Sequence, residues 1–331
     1  MAKRALTGIK PTGEPHLGNW LGAIQPALEL SRDYETFYFI ADYHALTSVH
    51  SAEDLRRYVR DITAAYLAFG LDPANSFFYR QSDIPEIFEL AWILSCFTPK
   101  GFMNRAHAYK DAVAKNEAAG KDADDGINIG LFGYPVLMAA DILMFNADVV
   151  PVGADQKQHV EFARDIAERF NHNYGKPFFH LPEPRISVTV KTVVGLDGRK
   201  MSKSYDNTIP LFLEEKAMQK RINQVVTNSQ TPEEPKDPDQ CHIFSLHALL
   251  LNADENKALR EKYLAGGMGW GMAKKLFFES LNEQLRGPRS EYNRLVADAV
   301  YLDTVLAQGE ERARAVAVPF LESIRTAIGI R

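Results

Sequence analysis

Asp141 interrupts an otherwise apolar run, "VLMAADILMF", at residues 136–145. A carboxylate among such neighbours is costly unless something pairs with it. Tyr134, Met138 and Asp141 are spaced i, i+4 and i+7, so a helix puts them on one face. Val150 and Val152, two apart in "DVVPVG", share one face of a strand. Together they can wall an apolar pocket with one fixed acceptor inside. A flat apolar group with a single N–H donor, such as an indole, fits that description. From spacing alone, Asp141 equally suits an ion pair with a nearby Arg or Lys, or a cap on a neighbouring backbone.

Two polar loops carry the other candidate chemistry. "GIKPTGEPHLGNW", residues 8–20, ends a strand and opens a helix near His16. Free N–H groups and the positive end of a helix attract phosphate. His16 and Asn19 add donors one turn apart. G-x-G-x-x-G is absent, so this is no dinucleotide fingerprint; a plainly capped loop is the alternative. "GLDGRKMSKSYDN", residues 195–207, is Gly- and Ser-rich and basic. Lys200 and Lys203, three apart, can reach one polyphosphate, where charge builds as a leaving group departs. A solvated basic loop is the plainer reading.

These pieces need a scaffold. "ALTGIK", "FYFIAD", part of "NSFFYRQS" and "DVVPVG" read as strands. Between them, "AEDLRRYVRDITAAYLAFGL" and "DQKQHVEFARDIAERF" have helical periodicity. The β-α-β-α order predicts an α/β fold: a parallel sheet with helices on both faces. Pro135 suits a first helical turn, so a helix opening at Tyr134 is expected. Asp155 reads as the cap of the next helix, with Gln158 completing a capping box. Residues 98–127 look like an insertion. From about Pro210 the chain turns helical, which divides it into residues 1–210 and 211–331. "SEYNRLVADAVYLDTVLAQG" and "ERARAVAVPFLESIRTAIGI" read as amphipathic helices.

Of the 331 residues, 46% are hydrophobic and 24% charged, ordinary for a globular protein. No apolar run is long enough to cross a bilayer and no secretory signal core follows the first basic residues, so no membrane is expected. Cys96 and Cys241 form no zinc set, which points to a reducing, cytoplasmic setting. The net charge of −5 excludes nucleic-acid binding by a global field and requires a local basic patch.

"HLGN" and "KMSKS", about 180 residues apart, mark the chain as resembling the class I aminoacyl-tRNA synthetases. Asn19 stands where the first signature often carries a second histidine. "GYPVLMAADILMFNADVVPVGADQKQHVEFARDIAERFN" resembles the matching segment of bacterial tryptophanyl-tRNA synthetases, as do "GIKPTGEPHLGNWLGAI", "ADYHALT" and "DGRKMSKS". The resemblance covers the catalytic region and, more loosely, the helical third. It implies a Rossmann-like catalytic domain with a helical tRNA-binding domain. It also implies ligation of tryptophan to tRNA(Trp) at the expense of ATP with Mg²⁺, and a homodimer. Asp141 is then the acceptor of the indole N–H. Tyr134 and Gln156 hold the ammonium and carboxylate ends, and Gly8, His44, Met138, Val150 and Val152 line the pocket. ATP falls to Lys10, Pro11, Thr12, Gly18, Asn19, Gly153, Ala154, Asp155 and Val193, and to Lys200, Met201, Ser202, Lys203 and Ser204. His16 and Asn19 serve the α-phosphate side, and Lys200 and Lys203 the departing pyrophosphate. Arg105, Lys110 and Lys115 of the insertion are candidates for the outer phosphates. Arg312, Arg314, Arg325 and Arg331 are candidates for reaching an anticodon. Some relatives carry an iron–sulfur cluster, whose four thiolates Cys241 alone cannot supply; no tightly bound metal or cluster is expected. The architecture is shared with tyrosyl-tRNA synthetases, but "MAADILMF" offers few polar partners for a phenol hydroxyl. A small nucleotidyltransferase would lack "KMSKS", and a non-catalytic tRNA-binding relative would be expected to lose a signature lysine or the "HLGN" turn.

Overall fold

The structure, a computed structural model, describes residues 2–153, 156–186 and 193–330. Strand β1, Arg4–Ile9, leads through a turn to α1 (Leu17–Asn19), a π-helical turn (Trp20–Ile24) and α2 (Gln25–Leu30). Then come β2 (Glu35–Ile40), α3 (Asp42–Ala45), α4 (Ala52–Ala68) and β3 (Phe77–Arg80). A 3₁₀ turn, Gln81–Asp83, precedes α5 (Pro85–Cys96), α6 (Lys100–Met103), α7 (His107–Ala118) and α8 (Ile129–Met144). Next are β4 (Val149–Val152), α9 (Lys157–Tyr174) and β5 (Glu183–Ile186). The remainder is helical: α10 (Glu215–Ile222), α11 (His242–Ala248), α12 (Ala253–Leu264), α13 (Trp270–Val296) and α14 (Ala299–Ile328).

The strands pair in parallel in the order β3-β2-β1-β4-β5. Side chains alternate across the pleat and feed two cores. Phe37 and Phe39 join Tyr79, α5, α8, α9 and α14 on one face. Tyr38, Ile40 and Phe78 join α4, α10, α11 and α13 on the other. The chain reverses direction across the sheet between β1 and β4. The crevice at the carboxyl ends of those strands is therefore the place where such a sheet binds ligands. β5, "EPRI", had no readable strand pattern; its Pro184 is tolerated because the strand lies at the sheet edge.

Helix α8 begins at Ile129, not at Tyr134. Asn128 Oδ1 caps it by accepting from Leu131 N at 2.8 Å, and Pro135 lies inside the helix. The shared face of Tyr134, Met138 and Asp141 survives, because only the start moved. The last two helices break at residues 297–298, where Asp298 caps Tyr301 N at 3.0 Å. "SEYNRLVADAVYLDTVLAQG" thus spans the end of α13 and the start of α14.

Helix α14 lies along edge strand β3 and covers it. A Cβ on Gly309 would stand 1.7 Å from the carbonyl oxygen of Phe78, so only glycine allows this approach. Ala313, Ala317, Leu321 and Ile324 share a core with α5 and α8. Arg312 donates to the carbonyls of Pro73 and Ala74, Arg314 pairs with Glu86 at 3.0 Å, and Arg325 pairs with Glu89. These three arginines, expected to face RNA, instead bind the last helix to the first half of the chain. Arg331 lies outside the described residues.

Candidate active site

Asp141 is fully buried near the C-terminal end of α8. Its partners are neither Arg nor Lys. Gln81 Nε2 donates to Oδ1 at 2.9 Å and to Oδ2 at 3.0 Å, and His44 Nε2 lies 2.9 Å from Oδ2. Gln81 also accepts from His44 N at 3.4 Å, so it ties the ends of β2 and β3 to α8. Burial pushes the Asp141 carboxyl above the ordinary aspartate range, and the hydrogen bonds from His44 and Gln81 oppose that rise. A carboxylate offers about four lone-pair directions, and these contacts leave about one open.

A cavity of about 440 Å³ opens beside this network, lined by His44, Thr47, Tyr134 and Leu137 among others. Asp141 lies behind His44 rather than on the wall. Tyr134 presents its ring edge to His44, and its hydroxyl is 2.6 Å from His159 Nε2 of α9. Val150 and Val152 are buried on the core face of β4, and Met138 packs against the same core. Gly8, one residue before the end of β1, lies under the ring of Phe39; a Cβ there would stand 2.3 Å from it. Gln156 is exposed at the start of α9, and its N–H donates to Gly153 O at 2.9 Å. Gln158 does not cap that helix. Its side chain accepts from His107 N at 3.1 Å and donates to Arg105 O at 3.2 Å, which anchors the insertion. Ala154 and Asp155 lie outside the described residues.

The two signature loops meet on the other side of the crevice. Asn19 Oδ1 accepts from His16 N at 3.1 Å and closes the turn on itself. Gly18 N approaches Met201 Sδ at 3.3 Å, and the Lys203 side chain lies over Gly13, with its Nζ 3.2 Å from where a Cβ would stand. His16 is buried; burial first, and the Lys203 charge second, lower its pKa to about 4, so it is neutral at neutral pH. Lys203 is itself lowered to about 8 by burial, against the pull of Glu14 and Asp61. No described residue lies at ion-pair distance from its ammonium. Asn207 organises the loop: its Nδ2 donates to Asp197 Oδ1 at 2.7 Å and Lys200 O at 3.1 Å, and its Oδ1 accepts from Ser202 N at 2.8 Å. Ser202 and Ser204 hydroxyls bond each other at 2.9 Å. Val193 is buried, and its carbonyl accepts from Met201 N at 2.8 Å. Pro11 is buried, Thr12 N turns back onto Lys10 O at 3.0 Å, and Lys10 Nζ donates to Thr47 at 3.2 Å.

Two signature loops facing each other across the carboxyl edge of a parallel sheet suit adenylation chemistry. Residues 2–286 match the family described as tRNA synthetases class I (W and Y). The chain belongs to that family. It is 53% identical over 335 aligned residues to the tryptophan–tRNA ligase of Pseudomonas putida, covering all of this chain and 74% of that protein. Identity to the tryptophan–tRNA ligase of Neisseria meningitidis is 50%, over 99% of this chain and 98% of that protein. Among solved structures, the tryptophanyl-tRNA synthetase of Campylobacter jejuni complexed with ADP and tryptophan superposes with a TM-score of 0.88 at 45% identity. That match covers 98% of this chain and 99% of the other.

The synthetase thus brings together, on one side, His44, Tyr134 and Asp141, and on the other His16, Gly18, Asn19, Met201 and Lys203. Gln81, His159 and Asn207 were not singled out from the sequence. Gln81 left one readable signal: it is a polar residue directly after the apolar strand "FFYR", at a carboxyl end where parallel sheets place site residues. His159 had none.

Proposed function

We propose that this synthetase is a tryptophan–tRNA ligase whose indole acceptor is Asp141. The tryptophan carboxylate oxygen attacks the α-phosphorus of ATP, the bond to the β-phosphate oxygen breaks, and pyrophosphate leaves. A ribose hydroxyl at the 3′ end of tRNA(Trp) then attacks the adenylate carbonyl and AMP leaves. No protein nucleophile is required; positioning and charge stabilisation carry both steps. His16 and Asn19 stand on the α-phosphate side, and Lys200 and Lys203 receive the charge of the departing pyrophosphate. Tyr134 and Gln156 take the amino-acid backbone. Mg²⁺ arrives on the nucleotide, where phosphates and water supply most of its ligands. Among the described residues, no group of three or more His, Cys, Asp or Glu is placed to hold a metal.

The observation that supports this reading is the buried Asp141 carboxylate, fixed by Gln81 and His44 directly behind the cavity that His44 and Tyr134 line. A site built around one acceptor rejects analogues that cannot use it. Residues 1–210 act as the catalytic part and 211–331 as the part that meets tRNA, in a cytoplasmic homodimer. Exposed Tyr43, Leu46, Trp92 and Ile129, on and beside α3, α5 and α8, offer an apolar face for a second copy. ATP–pyrophosphate exchange with each of the twenty amino acids tests the function. Tryptophan should drive exchange far above all others; preference for tyrosine would sink the reading. Sedimentation as a monomer with full charging activity would remove the dimer.

A further inference from the structure

The chain leaves the "KMSKS" loop through residues 206–211, and the first four carbonyls of that exit are all held. Asp206 O accepts from Arg221 Nη2 at 2.7 Å, and Thr208 O accepts from Arg221 Nε at 2.8 Å. Between and after them, Asn207 O accepts from Leu196 N at 2.9 Å, and Ile209 O accepts from Leu17 N at 2.9 Å. Leu211 N then donates to Pro15 O at 3.1 Å. The exit is therefore pinned to the loop stem and to the turn after β1 by backbone, and to α10 by one guanidinium that spans alternate carbonyls as a neighbouring strand would.

Arg221 is fully engaged in this. Its third nitrogen, Nη1, donates to Gln224 Oε1 at 3.0 Å. Nη2 also meets Asp206 Oδ1 at 2.9 Å, but that carboxylate is 94% exposed, so water screens the ion pair. The two carbonyls are the contacts that matter. Asp206 has a φ of 47°, in the left-handed region that Asp and Asn tolerate better than most side chains. It closes the 3₁₀ turn Lys203–Tyr205, and its N–H donates to Lys203 O at 3.0 Å. The residue that Arg221 grips is thus the one that ends the turn carrying Lys203. Helix α10 is itself fastened to α13 along its length. Asn282 donates to Glu215 Oε1 at 3.0 Å, Arg289 Nη2 lies 3.6 Å from Met218 Sδ, and Lys274 donates to Asn223 O at 2.8 Å.

We propose that Arg221 is a positioning residue for Lys203: by gripping the carbonyls of Asp206 and Thr208 from a helix anchored on α13, it fixes the exit of the loop and so sets where the lysine stands over Gly13. This rests on the reading of Lys203 as the lysine of the pyrophosphate side. The planar fork of arginine reaches two carbonyls at once, whereas the point charge of a lysine serves one of them. Without the fork, the turn that ends at Asp206 keeps only its own hydrogen bonds, and the Lys203 ammonium is spread over more positions.

The test reads the loop and the reaction separately. Endoproteinase Lys-C, acting on the nucleotide-free protein, cuts after Lys200 and Lys203 through local opening of the loop. Arg221→Ala removes no lysine. It should speed cutting at these two sites roughly tenfold, the scale of a lost charge-assisted hydrogen bond, while cutting after Lys115 and Lys121 in the insertion holds. In tryptophan-dependent exchange it should lower kcat/KM for ATP by roughly tenfold and leave KM for tryptophan unchanged. Arg221→Lys should fall between it and wild type in both readings. Asp206→Asn keeps the carbonyl and suits the left-handed region, so it should match wild type. Unchanged cutting after Lys200 and Lys203 in Arg221→Ala overturns the proposal. Faster cutting with an unchanged kcat/KM for ATP also overturns it, since Arg221 would then be a structural tie. Asp206→Asn as damaged as Arg221→Ala would move the role to the exposed ion pair and overturn the carbonyl grip. If Arg221→Ala fails to fold, Arg221→Lys decides by the same two readings. Proteolysis needs no substrate and no turnover, so a failure there leaves the ligase reading intact. A wild type inactive with every amino acid would sink the ligase reading without touching the cutting rates.

Discussion

Asp141 and Lys203 are opposite charges in opposite surroundings. Asp141 is fully buried on a helix, with both oxygens held by side chains from two other elements. Lys203 is half-buried on a loop, with no described partner at ion-pair distance. On the roles proposed for the two residues, the contrast follows from what each must do. A recognition group gains by being fixed before its ligand arrives, because the ordering cost is then met in folding. A group that stabilises charge appearing only in the transition state must not be spent on a permanent partner. The amino-acid side is therefore built like a core, and the phosphate side like an open clamp.

The largest expected effect breaks the recognition side. Asp141→Ala should lower the preference for tryptophan over phenylalanine by roughly 10³-fold, as the buried acceptor that phenylalanine leaves unpaired is gone. Specificity constants for exchange with the two amino acids measure this, with circular dichroism as the folding control. A folded variant with an unchanged ratio would leave Asp141 as a carboxylate that merely serves Gln81 and His44.

On the phosphate side, Lys203→Ala should depress the exchange rate by ~100-fold or more, the scale for losing a preorganised charge. Tryptophan binding without ATP should be unchanged. The lysine is charged below its pKa of about 8. Wild-type kcat/KM for ATP should therefore fall on the alkaline side with that apparent pKa. Lys203→Arg keeps the charge throughout and should abolish the limb, whatever it does to the rate. A limb that persists in Lys203→Arg belongs to another group.

Legibility followed the same division. The two signature loops could be singled out because their residues are local: "HLGN" and "KMSKS" are contiguous, and the structure brings them into contact. β1, β2, β4, α4 and α9 were readable from period 2 and period 3.6. The surroundings of Asp141 were not. Gln81 and His44 come from 60 and 97 residues away, and a polar partner for a buried group leaves no periodic trace. The start of α8 was missed because Pro135 resembles a first-turn proline, while Asn128 supplied the cap. The arginines of α14 misled for a related reason. Charge on a helix says nothing of whether Glu86, Glu89 and the carbonyls of residues 73–74 will fold against it.

Stability should separate the two residues further. Asp141→Ala strands the Gln81 amide and the His44 ring in the core, at about 1–3 kcal/mol for a buried group left unpaired, partly offset by no longer burying a carboxylate. Its Tm should fall. Lys203→Met strands nothing and removes the cost of holding a half-buried charge, so its Tm at neutral pH should rise. Its signature lies in pH. The folded pKa of Lys203, about 8, is below the ordinary 10.5, so between those values the unfolded chain binds more protons and stability rises with pH. Lys203→Met should lose that rise. Chemical denaturation at neutral pH and above pH 8 tests both statements; equal losses in the two variants would erase the contrast.

The smallest effect sharpens the border between the sides. Tyr134 has its ring against His44 and its hydroxyl on His159 at 2.6 Å, so it joins the Asp141 network to α9. Tyr134→Phe keeps the ring and its packing and removes only the hydroxyl. Because that hydroxyl already has a protein partner, the substrate ammonium can share it but cannot own it. The loss should be about 1 kcal/mol, the net worth of one hydrogen bond, or a rise of roughly fivefold in KM for tryptophan. The tryptophan-to-phenylalanine ratio should hold, since both amino acids carry the same ammonium. KM for ATP should also hold, since Tyr134 does not reach the loops. A change in that ratio would mean that the hydroxyl positions Asp141 through His44 and belongs to the recognition of the ring. A change in KM for ATP would mean that the two sides are coupled through His159.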